Sequence, residues 1–121
     1  MKEPLEAPPE QSAVKAFSRM APATVAEMLT IFPEEKLVDL VRKYVTDTSE
    51  RFAKVTEAGA AHDAKTIGEQ AHSIKGSSLV LGFTDMAELA RALEHRAGEG
   101  QPCDDIINQI RSELADLVTC L

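Results

Sequence analysis

His72, Lys75 and Gly76 fall within one short run of the stretch AHSIKGSSLVLGF, residues 71–83. An imidazole that is neutral near pH 7 carries a nitrogen lone pair able to attack an electrophile. Lys75, three residues on, sets an ammonium one helical turn away, where it can meet an anion held on the ring. Glycine costs roughly 0.5–1 kcal/mol against alanine inside a helix. Gly68 and Gly76, four residues to either side of His72, therefore call for a compensating use. Bare backbone lets a second surface come close to the ring. The cluster has the makings of a nucleophile on a cleared platform.

The helix that would carry it can be projected at about 100° per residue. Ala64, Ile67, Ala71, Ile74, Ser78 and Leu81 then gather as the core stripe. His72 points roughly 130° away from that stripe by the same geometry, toward water or a partner. Lys65, Gly68, Glu69, Lys75, Gly76 and Leu79 share its side, since positions three, four and seven apart are neighbours. The other two histidines lack such surroundings: His62 falls in a loop, and His95 stands beside Glu94 on the following helix.

The rest of the chain supplies helices to position this patch. Residues 1–22 read as a flexible proline-containing lead, partly helical, with Ser12 to Met20 able to cover the bundle as a short helix. Thr24 and Glu27 form a capping-box pattern that opens a short helix ending near Phe32. Pro33 as a first helical residue, with Glu34 and Glu35 behind it, starts a long helix reaching Gly59. Its apolar positions Leu37, Val41, Tyr44, Thr48, Phe52 and Val55 recur at spacings of three and four. The His72 helix runs from about Asp63 to Gly82, a C-terminal stop. Thr84 to Ala97 forms the next, with Met86, Leu89, Ala90 and Leu93 inward. Pro102 opens the last, packed through Ile106, Ile107, Ile110, Leu114 and Leu117. No segment alternates with period two. The expected fold is all-α: an antiparallel up-and-down four-helix bundle over residues 23–121, preceded by a short N-terminal helix.

Bulk properties narrow the function. A chain of 121 residues, 44% hydrophobic and 27% charged, suits one soluble domain. The formal charge of −7 argues against general nucleic-acid binding. No apolar run approaches the length of a membrane span and no signal peptide opens the chain, so the expected location is cytoplasmic. Cys103 and Cys120 both fall in the last predicted helix, about 25 Å apart at 1.5 Å per residue, too far for a disulfide. They are expected to be reduced packing residues.

The residues around His72 resemble the histidine-containing phosphotransfer (HPt) domain family, whose signature has the form H-x-x-K-G-(small)-(small)-x-x-(aliphatic)-G. His72, Lys75, Gly76, Ser77, Ser78, Leu81 and Gly82 match it position by position. The stretch from Lys36 to Gly76 is similar to the family's second and third helices, and ELARALEHRA, residues 88–97, to its following one. The resemblance implies that His72 takes a phosphoryl group, commonly on Nε2, from an aspartyl phosphate on a receiver domain of a hybrid histidine kinase. It then passes the group to the receiver aspartate of a response regulator. It also implies that Lys75 helps balance phosphate charge, that Gly76 gives close access, and that Lys65, Gly68, Glu69 and Leu79 belong to the docking face. Ser77 and Ser78 are expected either to hydrogen-bond or to be small where helices pack. No cofactor is expected of the chain itself, Mg²⁺ being the receiver's. The expected species is a monomeric, stoichiometric carrier and not an independent enzyme, with no nucleic acid and no membrane among its partners.

AHSIKG and the Gly82-Phe83 pair also resemble the phosphorylated module of chemotaxis-type kinases, which is charged by an ATP-binding domain. The chain has no such domain, and the Met start and acidic proline-containing lead favour a free-standing relay protein. A non-phosphorylated helical adaptor that binds receivers is a further reading, against which the intact His72 argues. Glu69-x-x-His72 matches half of a di-iron ligand set, but no second Glu-x-x-His exists and both residues point away from the core stripe. Lys75 precedes Gly76 where a phosphate-binding GxxxxGK[ST] loop needs the reverse order. Paired Cys/His spacing for zinc is missing, and Cys103 and Cys120 lie too far off to act as nucleophiles with His72. No metal site is expected.

Overall fold

The computed structural model describes residues 14–121. A 3-10 turn, Lys15–Arg19, leads into α1 (Pro22–Ile31), α2 (Glu34–Ala60), α3 (Ala64–Leu81), α4 (Thr84–Gly98) and α5 (Asp104–Thr119). Among the described residues there is no strand. Each of the four long helices packs on its sequence neighbour, and α5 closes the ring onto α2. The result is the antiparallel four-helix bundle, with α1 as the short extra helix.

Periodic apolar residues build the interior. Leu37, Val41, Val55, Ile74, Met86, Leu93, Ile110 and Leu117 are fully buried and fill it from all four helices. One buried polar link fixes how α2 faces α3: the hydroxyls of Tyr44 and Ser78 lie 2.6 Å apart. The Tyr44 ring also stacks on Phe83, centroids 4.5 Å apart and planes within 3°. Burial pushes the Tyr44 phenol up to about 12, so it keeps its proton across the physiological range. With Ser78 turned inward against Tyr44, His72 on the far side of α3 must turn outward.

The ends of α3 are set by its own sequence. Asp63 caps its start, accepting from the Thr66 amide at 3.1 Å and the Thr66 hydroxyl at 2.7 Å. At its other end Gly82 adopts φ 78°, and the Phe83 amide returns to the Ser78 carbonyl at 2.8 Å. Glycine is doubly required there, because a Cβ would lie 2.8 Å from Cβ of Thr24 and 3.1 Å from the Ala21 nitrogen. The Ala21 amide donates to the Gly82 carbonyl at 2.7 Å and pins α1 to this corner.

Several local expectations are corrected. The Thr24–Glu27 capping box does not form: Pro22, with its preset φ, opens α1 without a side-chain cap, and Thr24 is spent against Gly82. None of α1 is fully buried; Val25 and Met28 rest on the core, while Leu29 and Ile31 stand in solvent. Pro33 is the cap of α2 and not its first turn. α5 begins at Asp104, two residues after Pro102, so Cys103 and Cys120 flank that helix instead of lying inside it. Both are free thiols partly buried against the core. Ala64, assigned to the core stripe, is exposed at the mouth of α3.

The lead over 1–22 divides. Residues 1–13 lie outside the described residues, but from Val14 the chain is packed structure. Ala16 and Met20 are 0% and 3% exposed within the core, and Arg19 reaches α5, 3.0 Å from Glu113 and 3.5 Å from Asp116. Met20→Ala is therefore expected to cost about 2–5 kcal/mol, the range for emptying a buried methionine site. Urea denaturation checks this; an unchanged midpoint would show that the turn is not part of the cooperative core.

Candidate functional site

His72 sits midway along α3 with its side chain 68% exposed. Across the seam, α4 supplies a residue that the sequence alone did not single out. Glu94 Oε2 lies 2.9 Å from His72 Nδ1, and Glu94 Oε1 lies 2.9 Å from Lys75 Nζ. One carboxylate thus joins imidazole and ammonium. Glu94 is held below the usual carboxylate range, first by the hydrogen bond from Lys75 and then, against the opposing effect of burial, by that from His72.

An ionised carboxylate only accepts hydrogen bonds, so the ring nitrogen facing it must carry the proton. Nδ1 is that nitrogen. In the neutral ring the lone pair then belongs to Nε2, on the solvent side. The arrangement leaves Nε2 as the basic nitrogen of a largely exposed side chain.

The ground around the ring is open in both directions along α3. A Cβ at Gly76 would meet nothing within 4 Å. At Gly68 it would make only ordinary contact, 3.9 Å from Cβ of Ala97. Neither glycine answers a packing demand. Toward the start of α3, Lys65, Gly68 and Glu69 line a shallow groove of about 580 Å³ together with His72, Glu94, Ala97 and Gly98. Lys65 and Glu69 are paired with each other at its rim. Toward the other end lie Gly76 and then Leu79 and Val80, both largely exposed. The candidate docking residues therefore fall on either side of the imidazole, on one helix face.

The remaining candidates separate from this patch. His62 has φ 56° in the α2–α3 link and lines a different pocket, with Cys103 and Asp104, at the end of the bundle. His95, next to Glu94 in sequence, is exposed and points elsewhere on α4. Among the described residues no group of three or more His, Cys, Asp or Glu could hold a metal ion. No described helix is long and apolar enough to cross a membrane.

Glu94 was detectable in principle. It stands one residue after Leu93, four after Ala90 and three before Ala97, at the edge of the α4 core stripe. That spacing turns it toward a neighbouring helix. Which helix, and which residue on it, depends on packing.

An exposed imidazole held by a carboxylate on one nitrogen, on cleared backbone in a helical bundle, is an arrangement able to carry a transferred group. The Hpt domain profile matches residues 39–120. The chain belongs to the Hpt domain family, and its role is histidine phosphotransfer in phosphorelay signalling. It is also similar to a solved structure, histidine-containing phosphotransfer protein B (HptB) from Pseudomonas aeruginosa PAO1. Identity is 30%, with 82% of this chain and 87% of that one covered and a TM-score of 0.74. No curated protein sequence matches the chain.

Proposed function

We propose that the protein is a stoichiometric phosphorelay intermediate whose phosphoacceptor atom is Nε2 of His72. The donor is an aspartyl phosphate on the receiver domain of a hybrid histidine kinase, and the acceptor is the receiver aspartate of a response regulator. The observation that carries the reading is the Glu94 carboxylate on Nδ1, which leaves Nε2 as the free lone pair of an exposed ring.

The step balances without any proton leaving the site. The Nε2 lone pair attacks phosphorus, the bond from phosphorus to the aspartyl oxygen breaks, and the aspartate departs as carboxylate. The ring keeps its Nδ1 proton and becomes cationic, with the Glu94 carboxylate 2.9 Å away to balance the new charge. In the return step an aspartate oxygen of the second receiver attacks phosphorus, and the Nε2–P electron pair returns to a neutral ring.

Phosphoryl transfer depends mainly on in-line positioning and charge neutralisation. The two carboxylates sharing the groove with His72 are each bound to a lysine, Glu69 by Lys65 and Glu94 by Lys75. They are poor ligands for a divalent ion, so the acidic pocket and Mg²⁺ are assigned to the receiver. On this reading the carrier stays inert until a receiver docks, and it works as a monomer in the cytoplasm. Gly76 gives the receiver access, while Lys65, Gly68, Glu69 and Leu79 form its footing.

The test mixes the protein with a panel of phosphorylated receiver domains from its own organism and locates the acquired phosphate by NMR. One phosphoryl group per chain, on Nε2 of His72, is expected from at least one receiver. Attachment at Nδ1, or no uptake from any receiver, would overturn the assignment.

A further inference from the structure

The groove beside His72 continues past its own end. Ala64 and Ala97, which line it, also line a second hollow of about 410 Å³, where the α2–α3 link meets the α4–α5 loop. The floor of that hollow is apolar, since Ile67, Ala97 and Ile107 are all buried. Its rim is polar and exposed, formed by His62, Gln101 and Asp104. Gly59 leaves one wall bare. A Cβ there would meet Cδ1 of Ile107 at 3.6 Å, an ordinary contact, so packing does not exclude a side chain.

Charge distinguishes the rim. The cations nearby are committed, Lys65 to Glu69 and Arg96 to Asp105. The Asp63 carboxylate is taken up in capping α3. Among the described residues, the carboxylate of Asp104 has no ion-pair or side-chain hydrogen-bond partner. Cys103 beside it adds no charge, because burial pushes its thiol up and keeps the proton on sulfur. An apolar floor with one unpaired anion at its edge suits a long basic side chain. The methylene stem of such a chain covers apolar surface while its charged head stays at the rim.

Ala64 precedes His72 by eight residues, about 12 Å along α3 at 1.5 Å per residue. A protein interface of ordinary size buries about 800 Å² per partner, a patch roughly 16 Å in radius. A partner centred on His72 therefore reaches the mouth of the hollow. We infer that this end-of-bundle hollow seats a lysine or arginine side chain of the docked receiver, with Asp104 as its counter-ion. The inference rests on the phosphocarrier reading for the identity of the partner. Asp104 takes no part in the chemistry; it sets which receiver is held and how tightly.

Calorimetric binding of receiver domains to the full chain tests this at pH 8, where an ordinary imidazole is uncharged. For the tightest-binding receiver, Asp104→Asn should weaken binding about threefold, within the range of an exposed ion pair. Asp104→Lys, which turns attraction into repulsion, should weaken it about tenfold. Asp104→Glu should bind like the wild type, and the differences should shrink in high salt. Gly59→Met, which fills the hollow without changing charge, should also weaken binding while melting no lower than the wild type. Phosphate uptake by Asp104→Lys at saturating receiver should keep the wild-type maximal rate, with only the half-saturating concentration raised.

Cys103 lines the same hollow and reports its occupancy directly. In a Cys120→Ser background, saturating receiver should slow alkylation of Cys103 by iodoacetamide about fivefold or more, as lost access does. Wild-type affinity in Asp104→Lys, or alkylation of Cys103 at the free rate under saturating receiver, would overturn the inference and leave uptake on His72 intact. Tighter binding by Asp104→Lys would mean an acidic occupant and would overturn it as well. If receivers bind but none charges the wild type, the carrier reading fails, and the affinities and the Cys103 rate still decide what the hollow seats. Binding by no receiver would overturn both.

Discussion

His72→Gln is expected to fold like the wild type and to take up no phosphate. The wild-type ring is largely solvent-exposed and makes one recorded hydrogen bond, to Glu94. Losing it should therefore change stability by no more than about 1 kcal/mol. Glutamine is similar in length and can still reach Glu94 through its amide, but it has no nitrogen lone pair to attack phosphorus. Uptake should fall from one group per chain to background, measured as acid-labile phosphate after incubation with a charged receiver. Superimposable circular dichroism and urea curves establish that the fold survived. Residual acid-labile phosphate in this variant would mean that another residue is the acceptor.

Gly76→Glu is expected to fold and to transfer poorly. A Cβ at Gly76 has open space within 4 Å, and replacing a mid-helix glycine raises helix propensity by several tenths of a kcal/mol. Stability should hold or rise. The new carboxylate would nevertheless stand one turn from the imidazole, where a receiver must bring its phosphate within bonding distance of Nε2. Both bulk and like charge oppose that approach. A displacement of about 1 Å at a reacting centre can cost on the order of 100-fold in rate, and a loss of at least that size is expected. Paired thermal melts and transfer kinetics check it. A variant that melts no lower than wild type and transfers at the wild-type rate would remove the access argument. Gly76→Ala, which adds only the Cβ, should lie between the two in rate.

Gly76 and Gly82 differ in what the native structure asks of them. At Gly82 a side chain is excluded by Thr24 and Ala21 and by a positive φ, so that glycine is structural. At Gly76 nothing excludes one. The sequence shows both as glycines of one motif, and only the environment of each separates the glycine the fold requires from the one it does not.

Much of the molecule was legible from residue order. The apolar repeats of α2 and α5 predicted the buried faces because a helix fixes side-chain direction by local geometry alone. Leu37, Val41, Tyr44, Thr48, Phe52 and Val55 are all buried, as are Ile106, Ile107, Ile110, Leu114 and Leu117. The outward direction of His72 follows from the same rule, and its exposure agrees. Gly82 was readable as a stop since a left-handed residue closing a helix is a local demand.

Short-range signals failed where a distant contact used the same residue. Thr24 had the pattern of a cap, yet its side chain packs against Gly82, far along the chain. Ala16 and Met20 lay in a stretch expected at most to cover the bundle as a short helix, yet they are buried within the core itself. In both cases the deciding partner comes from another element.

What the sequence by itself determined is therefore the set of helices, their apolar faces and an imidazole turned outward on bare backbone. Each of these depends on interactions within about one or two turns. What only the tertiary structure decided is which nitrogen of that imidazole is free. That choice belongs to Glu94, 22 residues away on another helix, whose carboxylate faces Nδ1. A hydrogen bond between helices is set by how they pack, and residue spacing along the chain does not encode that geometry.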